Sequence, residues 1–181
     1  MFNEKRRLII IIAVLLGGAG VVLILTARQL SGTELPFETV AEDYGFFGGQ
    51  GYVSEEPNLI VITTPEGVDS PGLGVEFGPE LSSKLRDLDY EHRIAIVVLR
   101  GLIGGTSSEF TVDILQITRS GSRVILKTHF GTPGPGKGSL PATSSPYHII
   151  ALSKEGQWGQ DIHFILEVDG KKAQALVKFV P

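Results

Sequence analysis

The sequence predicts a mainly β domain, an antiparallel β-sheet sandwich or barrel-like fold with one short helix, preceded by a single N-terminal transmembrane helix. Three observations predict this. Leu8–Leu25 contains no charged or strongly polar side chain. Short apolar runs separated by glycine and proline follow it, which is typical of an all-β domain. Pro79–Leu88 has leucines at helical spacing, and its proline suits the first helical turn.

The N-terminal apolar segment has the length of a membrane span. As an α-helix at about 1.5 Å per residue, Leu8–Thr26 covers roughly 28 Å, close to the hydrocarbon thickness of about 30 Å. Basic residues at positions 5–7 precede it and Arg28 follows, so residues 1–7 are expected in the cytoplasm. A cleaved signal peptide and a soluble buried helix are the rival interpretations. We expect an uncleaved, single-pass signal anchor in the cell membrane.

Composition and charge exclude several classes of function. The chain has no cysteine, which excludes disulfides, thiolate metal sites and nucleophilic thiols. Four of the 16 basic and one of the 20 acidic residues lie in the first 28, which leaves a formal charge of −7 for the rest. A nucleic-acid-binding surface needs Lys and Arg to neutralise phosphates. We therefore expect no nucleic acid, no anionic lipid surface and no cofactor.

The outer part is divided into a linker over residues 27–36 and an extracytoplasmic β-rich domain over residues 37–181. Ile94–Leu99 is apolar throughout, as expected for a strand buried on both faces. Asp169-Gly170 is a hairpin turn signal between two of the strands. The predicted strands are Leu59–Thr63, Ile94–Leu99, Phe110–Thr118, Arg123–Phe130, Tyr147–Leu152, His163–Asp169 and Lys172–Phe179.

One glycine-rich segment approaches a phosphate-binding loop. Gly131–Ser139 resembles G-x-x-x-x-G-K-[ST], but Gly138 occupies the position of the metal-binding hydroxyl. Pro133 and Pro135 also lack the backbone N–H groups that would hold phosphate. We therefore expect no nucleotide and interpret the segment as a long mobile surface loop.

Other candidate chemistry is weak. Asp87, Asp89, Glu91 and His92 could suggest a site for a hard metal ion, but a solvated connection between helix and strand is favoured, so no metal is predicted. The chain has no G-x-S-x-G nucleophile elbow. His163 is expected to be packed beside Phe164 in its strand. No catalytic constellation stands out, and we predict that the protein is not an enzyme.

Aromatic residues supply the first candidates for partner contact. Phe46, Phe47 and Tyr52 lie in the glycine-rich segment Gly45–Tyr52, which is either a flexible aromatic patch or packing on a sheet edge. Trp158 lies between two strands. An exposed Trp158 would be a binding anchor, and a buried one would be a lid over the core.

The order of the central motifs resembles the PrcB-type C-terminal domain, named for a lipoprotein subunit of a bacterial surface protease complex. The motifs are the start Leu88-Asp89-Tyr90, the buried strand IAIVVL, the glycine segment Gly101–Gly105, and Ser144–Ile149 (SSPYHI) after a Pro/Gly loop. Tyr90 stands where these domains usually have Phe. The resemblance covers about residues 37–152, with a PrcB-like core over about 88–152.

The resemblance implies structural roles for the matched residues. Gly104 and Gly105 would permit positive φ in a turn, and Pro146 suits the first residue of a strand. Tyr147 would pack its ring while its hydroxyl finds a partner at the end of the strand. None of these residues is a nucleophile. The resemblance therefore implies a non-catalytic domain that binds or stabilises another exported protein, such as a protease.

The leading hypothesis is a membrane-anchored extracytoplasmic protein-interaction module whose partner is an exported or membrane protein. The alternative is an extracellular small-ligand-binding or sensory domain, which an apolar pocket with a few convergent polar groups would indicate. A hydrolase is a further alternative. It would require a serine, histidine or carboxylate pair with perturbed pKa values in one cleft.

Overall fold

A computed structural model describes residues 32–43, 54–70, 77–136 and 140–181. The predicted membrane span Leu8–Thr26 lies outside these residues, as do Phe46, Phe47 and Tyr52. Among the described residues, no helix is both long and apolar enough to cross a membrane. Glu34–Pro181 forms a unit of its own.

This unit is mainly β, as the sequence predicts, and all seven predicted strands are present with ends shifted by up to three residues. The described residues contain one α-helix, α1 (Pro79–Arg86), and one 3-10 helix (Pro65–Asp69). The strands are β1 (Thr33–Glu34), β2 (Phe37–Asp43), β3 (Asn58–Ile62), β4 (Arg93–Leu99), β5 (Ile103–Thr106), β6 (Asp113–Ser120), β7 (Arg123–His129), β8 (Leu140–Ser144), β9 (Tyr147–Ser153), β10 (Gln160–Val168) and β11 (Lys171–Val180).

The strands form three sheets. The largest has the order β1-β6-β7-β10-β11, the second β2-β9-β4-β3, and β5 pairs with β8. Within the large sheet β7 and β10 are parallel, so the prediction of an antiparallel domain is wrong at this pair. After β7 the chain forms β8 and β9 in the other sheets before it returns as β10. Because no hairpin joins β7 to β10, their relative direction is not fixed by a tight turn.

The two larger sheets share one apolar core. β4 and β9 contribute Ile96 and Leu152, and the facing strands contribute Ile117, Leu126 and Phe164, all of them fully buried. Removing each such side chain from water stabilises the fold by about 1.5–3 kcal/mol. The core therefore holds the two sheets face to face.

A second apolar cluster covers the other face of the four-stranded sheet. Val97 and Leu99 of β4 pack there with Leu85 of α1 and Val68 of the 3-10 helix. Pro79 occupies the first turn of α1, which suits a residue without a backbone N–H. Strand β4 is thus buried on both faces, which confirms the prediction for Ile94–Leu99.

Four strands were not predicted, and two of them change the interpretation of the glycine segments. Strand β8 lies immediately after the predicted loop Gly131–Ser139, and it pairs with β5. Gly104 and Gly105 are part of β5, so the predicted turn is wrong. The register shifts between Gly104 and Thr106, and Gly105 has φ +106°, the conformation of a bulge that favours glycine.

The prediction that His163 is packed is also wrong. In β10 alternate residues point to opposite faces of the sheet. Ile162 and Phe164 point into the core and are fully buried. His163 therefore points outward and is exposed.

Candidate functional site: an acidic pocket at the start of strand β6

Three distant segments of the chain meet at one end of the fold and enclose a pocket of about 260 Å³. They are the end of β2, the residues that lead into β6, and the start of β9. The residues that line the pocket are Glu42, Asp43, Ser108, Phe110, Thr111, Val112, Asp113 and Tyr147.

Part of the motif set that carries the PrcB-type resemblance lies beside this pocket, namely the end of the strand IAIVVL and Pro146-Tyr147, whereas Leu88–Tyr90 precedes the opposite end of β4. Leu99 at the end of β4 is the register partner of Tyr147 at the start of β9. The next backbone N–H, that of Arg100, donates to the carbonyl of Pro146 at 3.0 Å. Pro146 thus lies one residue before the strand that it was predicted to begin. Gly101 follows with φ +98°, and a Cβ there would lie 2.4 Å from the carbonyl oxygen of Glu55, so the close approach of these two backbone segments requires glycine.

His148 ties together the three segments that form the pocket. The Thr39 hydroxyl of β2 donates to Nε2 at 2.9 Å, and Nδ1–H donates to the Val112 carbonyl at 3.0 Å before β6. This tautomer is assigned from the two shorter contacts, since the Ile114 N–H, which would need an unprotonated Nδ1, lies farther away at 3.4 Å. Only 5% of the His148 surface is exposed. His148 is thus a positioning residue for the pocket.

The charge state of His148 follows from its burial. Burial lowers the pKa of the imidazole, although the charges of Glu42 and Asp113 and the hydrogen bond with Val112 oppose this. The Glu42 carboxylate lies 3.8 Å from Nε2. The neutral ring therefore fits the hydrogen bonds described above. No pattern in the sequence predicted a role for His148. The one indication in the sequence is that this polar ring lies within an otherwise apolar strand.

The pocket residues that lead into β6 lie close to the backbone of the segment that follows β7. The Thr111 hydroxyl donates to the Asp113 carboxylate at 2.6 Å. A Cβ at Gly131 would lie 2.4 Å from Oγ1 of Thr111, so the neighbouring strand end requires glycine. The Arg100 guanidinium lies 5.4 Å from the centre of the Phe110 ring, and it donates to the Gly131 carbonyl. The Phe110 ring in the pocket wall is thus held in place by its contact with the Arg100 guanidinium.

The pocket is strongly acidic. Among the described residues, three carboxylates line it, those of Glu42, Asp43 and Asp113, and no basic residue does. Burial raises the pKa of the Tyr147 hydroxyl, and the charge of Asp43 raises it further. Tyr147 therefore stays neutral beside the carboxylates. Aromatic rings beside carboxylates attract a cation by both charge and ring quadrupole.

Two other candidate residues, Gly104 and Trp158, do not line this pocket. Gly104 is exposed, and a Cβ there would contact nothing within 4 Å. Trp158 is half-buried and packs on the core between the sheets, as the lid interpretation expects. Its ring centre lies 4.0 Å from the Arg119 guanidinium, and its Nε1 donates to the Glu155 carbonyl at 3.1 Å.

The acidic connection after α1 does gather potential metal ligands. Side-chain ligand atoms of Asp89, Glu91 and His92 lie within 4.8 Å of one another, and all three residues are exposed. Nδ1 of His92 is already hydrogen-bonded to Asp89 at 2.7 Å. This geometry agrees with the solvated connection that the sequence favours.

No protein-family model, curated protein or solved structure matches the chain. A fold alone does not determine function, which depends on the chemistry of a site. The acidic pocket is therefore the basis for the functional interpretation.

Proposed function

We propose that the chain is a non-catalytic, membrane-anchored, extracytoplasmic protein-interaction module that binds another exported or membrane protein, such as a protease. The acidic pocket carries this proposal. Its carboxylates and aromatic walls suit one basic side chain from the partner. A guanidinium, with its planar set of donors, matches paired carboxylates and stacks on aromatic rings.

The size of the pocket favours a side chain over a metabolite. Pockets for drug-sized ligands usually enclose about 300–1,000 Å³, and this one encloses about 260 Å³. In protein interfaces a few side chains that insert into pockets usually contribute most of the binding energy, and the contacts at the rim contribute little. Specific binding of a small organic cation is the outcome that would favour the ligand-binding or sensory alternative.

The membrane anchor and the family assignment are parts of the same proposal. The length of Leu8–Thr26 and the basic residues at positions 5–7 support the anchor. The order of the central motifs, of which Tyr147 lines the pocket, supports the assignment to the PrcB family. The shared core of two facing sheets supports a sandwich over a barrel. An anchor would confine the pocket near membrane neighbours and raise its effective concentration toward them.

Photo-crosslinking in intact cells tests the interaction. A crosslinking amino acid replaces Ser108 at the pocket in the full-length protein, and Ser83 on the exposed side of α1 is the control position. We expect one exported or membrane protein to crosslink at position 108 and not at position 83. Asp43→Asn/Asp113→Asn should abolish that product.

A charge-matched variant separates the pocket from general electrostatics. Glu55→Gln/Glu56→Gln also removes two negative charges, and both residues are exposed and do not line the pocket. It should leave the crosslinked product unchanged. Equal loss in both double variants, or no product specific to position 108, would refute the proposed function.

The absence of cysteine allows a direct test of the anchor. Asn3→Cys and Lys178→Cys each introduce a single thiol, one before the proposed span and one on the exposed face of β11. A membrane-impermeant maleimide added to intact cells should label Lys178→Cys and leave Asn3→Cys unlabelled. Labelling of both, or recovery of the protein free of membranes, would contradict the anchored topology.

A further inference from the structure

A second cleft, of about 280 Å³, lies at the opposite end of β6. Four side chains line it, those of Ser120, Ser122, Arg123 and His163. Ser120 ends β6, Ser122 lies in the tight turn to β7, Arg123 begins β7, and His163 belongs to β10. The cleft shares no residue with the acidic pocket.

The register of three strands brings these residues together. Ser120 pairs with Arg123 across the β6–β7 hairpin, and Arg123 is the register partner of His163 in the parallel pair. The backbone N–H of His163 donates to the Ser122 carbonyl at 2.8 Å. Val124 and Phe164 follow in the two strands and are fully buried, so Arg123 and His163 share the outer face.

The chemistry of this cleft is opposite to that of the acidic pocket. Two hydroxyls, a guanidinium and an imidazole are all able to donate hydrogen bonds, and no carboxylate is present among the described residues that line the cleft. Within the part of the chain that the structure describes, no ion pair involves Arg123. Two carboxylates lie on the same face of β10, that of Asp161, two residues before His163, and that of Glu167, four residues after it.

The neighbouring Arg119 does not compete for a ligand in the cleft. Its guanidinium donates to the carbonyls of Gly121, Glu155 and Gln157, which holds the hairpin turn in place. The side chain of Arg119 is buried under Trp158. Arg123 is thus the arginine whose guanidinium faces the cleft.

We propose that this cleft binds a tetrahedral oxyanion, a phosphate or sulfate group. A guanidinium presents two parallel N–H donors to such an oxyanion, and hydroxyls and an imidazole complete the contacts. At roughly 30 Å³ per water-sized group, a tetrahedral anion fits the cleft with room for an attached substituent. The shared chemistry covers both the free ion and an ester of it, and binding here does not depend on a partner at the acidic pocket.

Calorimetric titration of the full chain tests this site. The protein is held in maltoside micelles, which carry no phosphate, and is titrated with inorganic phosphate, sulfate and phenyl phosphate against sodium chloride of equal ionic strength. We expect saturable binding of the oxyanions and none of chloride. Tighter binding of phenyl phosphate than of the inorganic ions assigns the site to an ester, and equal binding assigns it to the free ion.

Two variants on one strand decide whether the cleft is responsible. Arg123→Gln should weaken oxyanion binding by about tenfold or more, because one charge-assisted contact is lost. Lys127→Gln removes the same charge from the exposed face of β7, outside the cleft, and should leave binding unchanged. Thermal melting checks that both variants fold. Absence of saturable binding, or equal weakening in both variants, would overturn the proposal.

Discussion

The two ends of strand β6 present opposite chemistry from one short piece of chain. Asp113, the first residue, lines the acidic pocket, and Ser120, the last, lines the oxyanion cleft. At about 3.3 Å per residue the two lie roughly 20 Å apart. Of the residues that the structure describes, those lining the first site include carboxylates and no basic side chain, and those lining the second include hydrogen-bond donors and no carboxylate.

The ends differ in how they are held as well as in charge. A buried neutral imidazole, that of His148, joins three segments at the acidic end. A buried guanidinium, that of Arg119, holds three main-chain carbonyls at the other end. The middle of β6 instead places Ile117 in the shared core. Where the apolar core stops, a polar side chain with several hydrogen bonds keeps the loops in place, and each loop then shapes a site.

The largest predicted effect is at the donor end. Arg119→Met retains an unbranched side chain that matches the aliphatic part of arginine in length, and it removes the guanidinium from three carbonyls and from the Trp158 ring. We expect the free energy of unfolding to fall by about 2–3 kcal/mol, since unsatisfied polar groups cost about 1–3 kcal/mol and the cation–π contact about 0.5–1 kcal/mol more. Urea denaturation of the variant measures this loss.

The same variant separates the two ends. Oxyanion binding should weaken, because the hairpin turn is no longer held by the hydrogen bond from Arg119 to the Gly121 carbonyl. Crosslinking at the acidic pocket should persist. Arg93→Met is the control, since its exposed ion pair with Glu38 at 2.8 Å is worth at most about 1 kcal/mol. If Arg119→Met disturbed both sites equally, the ends would not be independently held.

A second prediction concerns the acidic end and pH. Burial holds the pKa of His148 below its ordinary value, so the unfolded chain binds a proton more readily than the folded one. Stability is therefore fully present above about pH 6.5 and falls as the pH decreases. At pH 5 the contribution of His148 to this loss is at most about 2 kcal/mol, given an unfolded pKa of about 6.5.

Urea denaturation at pH 7.5 and pH 5.0 checks this contribution. His148→Gln should lose less stability than the natural chain between these pH values, since glutamine does not titrate. His163→Gln, at an exposed position of β10, is the control for replacing a histidine by glutamine. An unchanged pH dependence in His148→Gln would show that the imidazole is not held neutral by the fold.

The sequence predicted those strands that carry a recognisable local pattern, either an apolar run or a turn signal at one end. The uninterrupted apolar run of β4 and the Asp169-Gly170 turn were sufficient, and both are where the sequence places them. Three of the missed strands lack such a pattern: β2 contains three acidic residues, β5 contains two glycines and β8 contains a proline. Their pairing partners, and not their own propensities, make these segments strands.

The sites were harder to predict because register, and not spacing, assembles them. Tyr147 was a candidate through the resemblance, but no spacing in the sequence joins it to Glu42 or Asp113. The hydrogen bond between Thr39 and His148 connects residues 109 positions apart. The cleft likewise depends on the parallel pairing of β7 with β10, which the antiparallel prediction missed.

The smallest predicted effect is that of a substitution at Tyr90, which lies away from both ends of β6. This substitution serves as a reference for the changes at the two sites. The Tyr90 hydroxyl is buried without a hydrogen-bond partner among the described residues, and burial raises its pKa to about 12. Tyr90→Phe should raise the free energy of unfolding at pH 7 by about 0.5–1 kcal/mol, because it removes an unsatisfied polar group.

The same substitution should flatten the alkaline limb of the stability curve. A folded-state pKa raised from about 10 to about 12 gives stability that is present below pH 10 and is lost between pH 10 and 12. Tyr90→Phe should lose less stability over that interval, while oxyanion binding and crosslinking at the pocket stay unchanged. A lower stability of Tyr90→Phe at pH 7 would mean that the hydroxyl is hydrogen-bonded in the folded chain. Any change in oxyanion binding or in crosslinking would show that the second apolar cluster is coupled to the ends of β6.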